Sequence, residues 1–337
     1  MEKKILVTGG LGFIGSHTVV ELQNEGFEVI IIDNLSNSTI DVLEKITSIT
    51  NIKPTFFNLD LKDKKEVHDF FNQNEVDGII HFAASKAVGE SILKPLDYYE
   101  NNIYSLVNLL QETTQRNLNN FIFSSSCTVY GQTDELPITE NAPIKPAESP
   151  YGNTKKINEE IIADAVKAHG LKAISLRYFN PIGAHSSAKI GELPLGIPQN
   201  LIPFITQTAA GIRQELSVFG DDYPTVDGTA VRDYIHVVDL AKAHIAALNR
   251  LLKNQQKNNY EVFNVGTGKG SSVLEVIKQF EKVSQTKLNY KIVGRREGDI
   301  TATYADTTLA NNELNWKAEL TLEEALLSAW NWQKTLK

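Results

Sequence analysis

A tyrosine and a lysine four positions apart, in "SPYGNTKK", have side chains suited to proton abstraction. Ser149 and Pro150 predict a helix start, with Ser149 as the N-cap. On that helix Tyr151 and Lys155 share one face. A tyrosine with a pKa near 10 is a poor base, and lowering that pKa by about three units requires about 4 kcal/mol of preference for the phenolate. Because a nearby ammonium supplies part of it, we predict that Tyr151 is a general base activated by Lys155.

A glycine-rich turn follows the first apolar run, in "VTGGLGFIGSH". Gly10, Gly12 and Gly15 satisfy G-x-G-x-x-G, and the wider G-x-x-G-x-x-G spacing begins at Gly9. Such glycines let the backbone approach a pyrophosphate at a helix N-terminus. Asp33 ends the second apolar run, eighteen residues after Gly15, where a carboxylate accepts hydrogen bonds from ribose hydroxyls and repels a 2′-phosphate. The pattern predicts NAD as the cofactor rather than NADP.

Short apolar runs alternate with helix-compatible segments along the first half of the chain, which is typical of an α/β fold with a doubly wound parallel sheet of the Rossmann type. Their consecutive apolar residues predict strands covered by helices on both faces. The runs are "KKILVT", "EVIIID", "PTFFNL", "DGIIHF", "NFIFSS" and "KAISLRYF". The fifth ends in three serines, at the carboxyl end of a strand where such sheets bind ligands.

The alternation breaks at "NPIGAHSSAKIGELPLGIP", which predicts a smaller, mixed α/β substrate domain on the C-terminal side. We therefore divide the chain into a dinucleotide-binding domain over residues 1–180 and a substrate domain over 181–337. The segment "RDYIHVVDLAKAHIAAL" has the pattern of a strand followed by a helix. It predicts that about 232–265 rejoins the first domain.

Composition excludes several classes of protein. The formal net charge of -8 argues against a nucleic-acid or anionic-membrane partner, so an anionic ligand must meet local cations. The opening "MEKKILVTGG" has too few consecutive apolar residues for the core of a signal peptide. No later run approaches the roughly 20 apolar residues of a membrane span. A single cysteine cannot form an internal disulfide, which is consistent with the expected cytoplasmic location.

The sequence resembles the extended short-chain dehydrogenase/reductase family, and within it the enzymes that epimerise UDP-glucose at C4. The likeness covers nearly the whole chain. It rests on "VTGGLGFIGSHT", "IHFAASKAVGES", "FIFSSSCTVYG", "SPYGNTK", "LRYFNPIGAH", "VFGDDYPTVDGTAVRDYIHVVDLA" and "RREGD". The resemblance implies interconversion of UDP-glucose and UDP-galactose in galactose metabolism, by oxidation at C4 with NAD, rotation of the 4-keto sugar and return of the hydride to the other face. It also implies a homodimer and makes the second domain the UDP-sugar-binding one.

The resemblance also assigns individual residues to catalysis and to the two ligands. The implied catalytic group is Ser126, Tyr151 and Lys155, with Ser126 bonded to the sugar 4-hydroxyl and helping to relay its proton to Tyr151. The implied NAD contacts are Gly9, Gly12, Phe13, Ile14, Gly15, Asp33, Asn34, Asp60, Leu61, Phe82, Ala83, Lys86, Asn101, Tyr151, Lys155 and Phe179. The implied UDP-sugar contacts are Ser126, Tyr151, Asn180, Asn200, Leu201, Phe219, Arg232, Arg296, Asp299 and Thr303. Ser124 and Ser125 are then left to satisfy backbone groups, and Cys127 to fill space.

Other functions fit parts of the pattern. A 4,6-dehydratase of this family carries Asp-Glu directly after its Thr, whereas Cys127 and Thr128 follow Ser126 here. A decarboxylase needs a cation or acid in the same loop for its substrate's carboxylate. A non-catalytic NAD-sensing regulator of this fold typically lacks the tyrosine and lysine that this chain keeps. The seven histidines lack HExxH-type spacing, so no metal site is predicted.

The residue at position 303 bears on the range of sugars. Family members restricted to unacetylated sugars often carry a bulky tyrosine at the position that aligns with Thr303 in "DITATYAD". A threonine leaves more room beside the sugar C2, which predicts some activity on UDP-N-acetylglucosamine. A slip of one residue in this alignment, to Tyr304, would restore the bulk.

Overall fold

The computed structural model describes residues 3–133, 135–296 and 298–336. Its strands are β1 (Lys4–Thr8), β2 (Glu28–Asp33), β3 (Thr55–Asn58), β4 (Gly78–His81), β5 (Phe121–Ser126), β6 (Ala173–Tyr178), β7 (Asn180–Ile182), β8 (Leu216–Phe219), β9 (Val231–His236), β10 (Tyr260–Val265), β11 (Gly270–Ser272), β12 (Tyr290–Val293) and β13 (Ala302–Thr303). Its helices are α1 (Phe13–Asn24), α2 (Asp41–Thr50), α3 (Lys64–Gln73), α4 (Val88–Leu93), α5 (Pro95–Gln115), α6 (Pro150–His169), α7 (Leu201–Ala209), α8 (Val237–Leu252), α9 (Val273–Ser284), α10 (Thr308–Glu313) and α11 (Leu322–Thr335). A 3₁₀-helix at Cys127–Tyr130 follows β5.

Seven parallel strands form the central sheet, in the order β10-β6-β5-β4-β1-β2-β3. All six predicted apolar runs contribute a strand to it, so the prediction of a Rossmann-type parallel sheet is confirmed. The chain starts at β1, builds outward to β3, and then crosses over to β4 on the other side of β1. This change of direction opens a crevice at the carboxyl ends of β1 and β4, which is where sheets of this kind bind ligands.

Helices cover both faces of the central sheet. Within β1, Ile5 and Val7 enter one apolar cluster and Leu6 enters the other, as the alternation of side chains along a strand requires. The first cluster includes side chains of α1 and α8, and the second includes side chains of α3, α5 and α6. None of the helices in the described parts of the chain is long and apolar enough to span a membrane.

The remaining strands form two small sheets beside the carboxyl edge of the central one. β9 pairs with β7, β11 and β13, while β8 and β12 form a parallel pair. The segment predicted to rejoin the first domain is therefore divided. Its helix α8 packs on the central sheet and β10 is the last strand of that sheet, but β9 lies in the small sheet because it pairs with β7, directly after β6. The domain limits themselves stay a prediction.

Candidate active site

Helix α6 positions the tyrosine and lysine singled out by the sequence. Ser149 is its N-cap, and the Ser149 side chain accepts a hydrogen bond from Gly152 N at 3.1 Å, with Pro150 in the first turn. Tyr151 and Lys155 are 7% and 3% exposed. The Lys155 Nζ lies 5.9 Å from the Tyr151 ring centroid and donates to the carbonyl oxygen of Ser124 at 2.6 Å. The helix therefore places both side chains against the serines that end β5.

Burial controls the protonation of this pair. Desolvation raises the pKa of Tyr151 well above its usual value, and the hydrogen bond with Ser126 opposes this rise. Desolvation lowers the pKa of Lys155 to about 7, against the attraction of Glu159. The lysine amine and ammonium forms thus coexist near neutrality, and Tyr151 is a neutral phenol in the protein alone. A positive charge brought by a ligand would favour its phenolate.

The three serines at the end of β5 have separate partners. Ser124 Oγ hydrogen-bonds the Tyr178 hydroxyl at 2.6 Å, and Ser125 Oγ donates to Glu159 Oε1 at 2.5 Å. The expectation that these two hydroxyls satisfy backbone groups is therefore wrong, because polar side chains of β6 and α6 lie within reach. Ser126 Oγ instead accepts from Thr128 N at 3.2 Å and faces Tyr151.

Cys127 is the only thiol near this group. Burial raises the pKa of its thiol to about 12, so it is a neutral thiol at physiological pH and a poor nucleophile. Across the described residues, no group of three or more His, Cys, Asp or Glu side chains could hold a metal ion. Tyr151, Lys155 and the Ser126 hydroxyl are therefore the candidates for proton transfer and hydrogen bonding to a ligand at this site.

The glycine-rich turn between β1 and α1 has the geometry of an anion cradle. Gly9 has a φ of 68°, which side chains rarely allow, and its N–H donates to Ile32 O at 2.7 Å. A Cβ added to Gly15 would lie 2.2 Å from Gly9 O, so the helix can approach the turn this closely only with glycine there. Helix α1 begins at Phe13 and Ile14 without a side-chain cap, and its first N–H groups are free for a pyrophosphate.

Polar groups at the ends of β2 and β3 fit the adenosine half of a dinucleotide. Asp33 is fixed by Leu11 N at 3.1 Å, on one carboxylate oxygen, and by Leu35 N at 2.9 Å, on the other. Asn34 Nδ2 donates to Asp60 Oδ2 at 3.3 Å, and Leu61 is buried beside them. An aligned carboxylate at Asp33 suits ribose hydroxyls and would repel a 2′-phosphate. The residues present therefore fit NAD.

The residues predicted at the nicotinamide half follow β4 and β6. A Cβ at Gly9 would meet Ala83 N at 2.8 Å, so the loop after β4 lies directly against the cradle. Lys86 Nζ is 5.8 Å from the Phe13 ring centroid. The other predicted members are packed rather than open: Phe82 contacts the His244 ring at 4.6 Å between centroids, Asn101 Nδ2 donates to Ser85 Oγ at 3.2 Å, and Phe179 is 4% exposed in an apolar cluster with Tyr130.

Cationic side chains face the site from the smaller sheets. Arg232, on β9, donates to the carbonyl of Val231 and lies 3.9 Å from Asp299. Arg296 forms a two-point ion pair with the same carboxylate, at 3.2 and 2.8 Å, and its guanidinium carbon is 5.5 Å from the Phe219 ring centroid. Two arginines, an aspartate and an aromatic ring are thus clustered, a set suited to a diphosphate, a ribose and a base.

The other predicted sugar-side residues lie at element ends. Asn180 begins β7, and Asn200 precedes α7, where Leu201 starts the helix. Thr303, in β13, is 7% exposed and pairs in register with Arg232. The Tyr304 ring lies instead against Gly270: a Cβ added to Gly270 would be 3.1 Å from Tyr304 Cδ1. Because neighbouring residues of a strand point to opposite faces, Thr303 rather than Tyr304 shares a face with Arg232.

Sequence reasoning missed a carboxylate that joins the two halves of the site. Glu192 Oε1 accepts from Lys86 Nζ at 3.2 Å and from Asn200 Nδ2 at 2.8 Å. Its backbone oxygen is held by Trp332 Nε1 at 2.9 Å. Glu192 lies in an irregular segment without a motif, so nothing local to the sequence signalled its role. The contact of the Tyr178 hydroxyl with Ser124 was also not predicted, although Tyr178 lies within the quoted stretch "LRYFNPIGAH".

Comparisons with known proteins match nearly the whole chain. A family model described as GDP-mannose 4,6 dehydratase matches residues 6–328. The UDP-glucose 4-epimerase of Haemophilus influenzae is 49% identical over 331 residues, covering 98% of this chain and 97% of that protein. The crystal structure of UDP-glucose-4-epimerase from Stenotrophomonas maltophila, with bound NAD and formylated UDP-arabinopyranose, is similar with a TM-score of 0.96 at 46% identity, covering 99% of each chain. The enzyme from Bifidobacterium longum, in complex with NAD+ and UDP, gives 0.95 at 47% identity, again over 99% of each chain.

Proposed function

Since this chain belongs to the UDP-glucose 4-epimerases of the extended short-chain dehydrogenase/reductase family, we propose that the site described above interconverts UDP-glucose and UDP-galactose, as part of galactose metabolism. The observation that carries the proposal is the placement of a buried tyrosine–lysine pair at the end of β5, in the same crevice as the glycine cradle. Tyrosine, lysine and a dinucleotide are together sufficient for reversible oxidation of a secondary alcohol.

NAD bound here would be held by the N–H groups of α1, by Asp33 and by the loop after β4. It supplies a hydride acceptor at the sugar C4, and the reduced form supplies the same hydride back. An epimerase regenerates its cofactor in each turnover, so the protein keeps it.

Tyr151 takes the proton of the sugar 4-hydroxyl in this proposal. Its pKa is raised by burial in the protein alone, and the positive charge of bound NAD would add to that of the Lys155 ammonium in favouring the phenolate. Burial lowers the pKa of Lys155 to about 7. A phenolate forming beside it would raise that pKa again and so stabilise the ammonium form. Catalytic activation is therefore tied to occupancy of the cofactor site.

The arginine cluster would hold the UDP part of the substrate. Arg232 and Arg296 converge on Asp299, so a diphosphate would enter by exchanging one carboxylate for phosphate oxygens. Phe219 is 40% exposed at the end of β8, which leaves its ring available to a base. Anchoring the substrate through its nucleotide would leave the 4-keto sugar free to turn between the two hydride transfers.

The dehydratase named by the family model requires a further elimination of water. Elimination needs an acid and a base beside the sugar, and the two residues after Ser126 are Cys127 and Thr128. The Cys127 thiol, with its pKa raised to about 12 by burial, is a poor acid at neutral pH. Epimerisation at C4 needs neither group, so it fits this loop and 4,6-dehydration does not.

Product analysis of UDP-galactose incubated with the purified protein tests the proposal. We expect UDP-glucose to accumulate toward equilibrium, and Tyr151→Phe to lower kcat by about 10³-fold, because removal of the hydroxyl removes the base. The variant should still retain NAD, and Tyr223→Phe serves as a control for loss of a buried tyrosine hydroxyl outside the site. Absence of UDP-glucose with the wild-type protein, or turnover by a preparation stripped of NAD with none supplied, contradicts the proposal.

Turnover of N-acetylated UDP-sugars is the second part of the proposal. It is supported by the threonine at position 303, which lies on the Arg232 face of β13 while the bulkier Tyr304 packs on Gly270. The smaller side chain leaves space beside the substrate that a tyrosine would fill.

Homodimer formation and a cytoplasmic location complete the proposal. Helices α5 and α6 pack side by side, and α5 exposes Leu96 and Tyr104, which are 78% and 57% exposed. Large apolar side chains left on one helix face support pairing with the same face of a second copy. If sedimentation analysis at micromolar concentration gives the mass of one chain, the proposed dimer is contradicted.

The proposed cytoplasmic location is contradicted if the protein fractionates with membranes or with the medium.

A further inference from the structure

The oxygen of the Ser126 hydroxyl is fully occupied as an acceptor. Ser126 caps the 3₁₀-helix, and its Oγ accepts from Thr128 N at 3.2 Å. Thr128 Oγ1 donates to the same oxygen at 3.0 Å. A serine hydroxyl has two acceptor lone pairs and one proton. Because Thr128 uses both lone pairs, Ser126 is left with its proton to donate and with no lone pair to receive another.

Tyr151 is the candidate acceptor for that proton. Gly152, the residue after Tyr151, packs on Thr128, so the tyrosine lies on the turn next to the Ser126 hydroxyl. Hydrogen bonding with Ser126 lowers the pKa of Tyr151, as a bond donated to the phenolate does. The Cys127 thiol is the competing neighbour of the Ser126 hydroxyl, but a thiol sulfur accepts only weakly. A fixed serine oxygen therefore favours donation to the phenol.

Thr128 is itself held against the turn that carries the tyrosine. A Cβ added to Gly152, the residue after Tyr151, would lie 3.3 Å from Thr128 Cβ and 3.4 Å from Thr128 Oγ1. The 3₁₀-helix and the first turn of α6 are thus in close contact at this point. Ser126 and Tyr151 are both held in place by groups that pack around Thr128.

We propose that Thr128 is a positioning residue that makes Ser126 a hydrogen-bond donor rather than a proton relay. The inference rests on the proposed function. In the oxidation step the O4–H bond breaks and its proton forms a new O–H bond on the Tyr151 oxygen. The C4–H bond breaks as well, its electron pair leaving as hydride for which bound NAD would be the acceptor, so O4 becomes the carbonyl oxygen of the 4-keto sugar and carries the developing negative charge during the transfer. Ser126 keeps its own proton throughout and stabilises that charge by donation. The return step reverses the same transfer.

Paired substitutions at position 128 test the proposal. Thr128→Val keeps the shape and the backbone N–H but removes the hydroxyl, so the Ser126 proton can turn away from Tyr151. We expect kcat to fall about tenfold, the loss of one oriented hydrogen bond, with KM within about twofold of the wild type. Thr128→Ser restores the hydroxyl and should return kcat to within about threefold of the wild type.

A double-variant comparison separates positioning from packing. If Thr128 acts through Ser126, Thr128→Val should change kcat little in a Ser126→Ala background. The ¹³Cζ resonance of Tyr151, identified by its loss in Tyr151→Phe, should move in Thr128→Val by more than its linewidth and return in Thr128→Ser. This readout needs no turnover, so it decides the proposal even if the wild type fails to convert UDP-galactose and the proposed function fails. An undiminished effect in the Ser126→Ala background, no rescue by serine, or an unmoved resonance overturns it.

Discussion

The two halves of the candidate site are built from different materials. The proposed cradle for the dinucleotide consists of backbone: Gly9 and Gly15 bring the turn and helix α1 together, and N–H groups would meet the anion. The proposed site for the sugar nucleotide consists of side chains: Arg232 and Arg296 lie on separate segments and are already paired with Asp299. The first half is a fixed shape, whereas the second is a set of charges that must exchange partners when a ligand binds.

That difference determines how each half can fail. No other residue can replace Gly9 or Gly15 without strain, because a Cβ at either position collides with main-chain atoms that cannot move alone. A guanidinium at a partly exposed surface is one of several cations, and solvent and salt screen its contribution. Changes to the cradle should therefore be close to all-or-none, and changes to the charged half should be graded.

Between the two halves, the largest effect is expected from Gly15→Ala in the cradle. The alanine Cβ would lie 2.2 Å from Gly9 O, so α1 must shift away from the turn. The first N–H groups of α1 would then no longer point at the pyrophosphate. We expect the purified variant to lose its NAD and at least 10²-fold of its activity, since misplacement of the reacting groups by about 1 Å has a cost of that order. Cofactor content is measured from the nucleotide released on denaturation.

Gly294→Ala is the matched control for this substitution. A Cβ at Gly294 meets no atom within 4 Å, so NAD content and activity should remain those of the wild type. A Gly15→Ala protein with a full complement of NAD would show that the cradle tolerates displacement. In that case the backbone half would be as adaptable as the charged half.

How far the site could be predicted from sequence follows the same division. The cradle and the tyrosine–lysine pair are local patterns, since all their members lie within a turn or a helix face of one another. Partners across the fold carry no such signal: Glu192 joins Lys86 to Asn200 over 106 and 8 residues of chain. The partners of Ser124 and Ser125 were mispredicted for the same reason, because Tyr178 and Glu159 come from other elements.

The sheet shows where pattern reasoning ends for the fold. Six strands were predicted because buried parallel strands are continuous apolar runs, and all are in the central sheet. The unit "RDYIHVVDLAKAHIAAL" has equally clear strand and helix patterns, yet β9 and α8 belong to different layers. Periodicity predicts the type of an element, whereas its partner depends on contacts such as that of β9 with β7.

An intermediate effect is expected from the charged half. Charge-assisted hydrogen bonds are worth about 1.5–3 kcal/mol, so Arg232→Gln should raise KM for UDP-galactose roughly 10- to 100-fold, with a smaller change in kcat. Arg296→Gln should raise KM less, because the Arg296 side chain is 54% exposed against 19% for Arg232. Steady-state kinetics at two salt concentrations measure both effects.

Arg295→Gln is the control for these two variants. Arg295 bonds Asp222 at 2.7 Å and its guanidinium carbon is 4.1 Å from the Tyr223 ring centroid, so it is engaged away from Asp299. The KM of Arg295→Gln for UDP-galactose should stay within about twofold of the wild type, because an exposed ion pair contributes little. Equal increases for Arg295 and Arg296 variants would mean that net charge, and not the cluster on Asp299, attracts the substrate.

The smallest effect is expected from Thr303→Tyr, and it should be selective. Thr303 is in register with Arg232, so a larger side chain there projects to the Arg232 face of β13, where we propose that the sugar nucleotide binds. Overpacking costs about 1–3 kcal/mol, which predicts a loss of about tenfold in kcat/KM for UDP-N-acetylgalactosamine. UDP-galactose, without the acetamido group, should lose no more than about threefold. Thr303→Val keeps the volume and should leave the ratio of the two substrates unchanged. Equal losses for both sugars would indicate a general disturbance of β13. If the wild-type protein does not turn over the N-acetyl sugar, the proposal that Thr303 leaves space for the acetamido group is wrong.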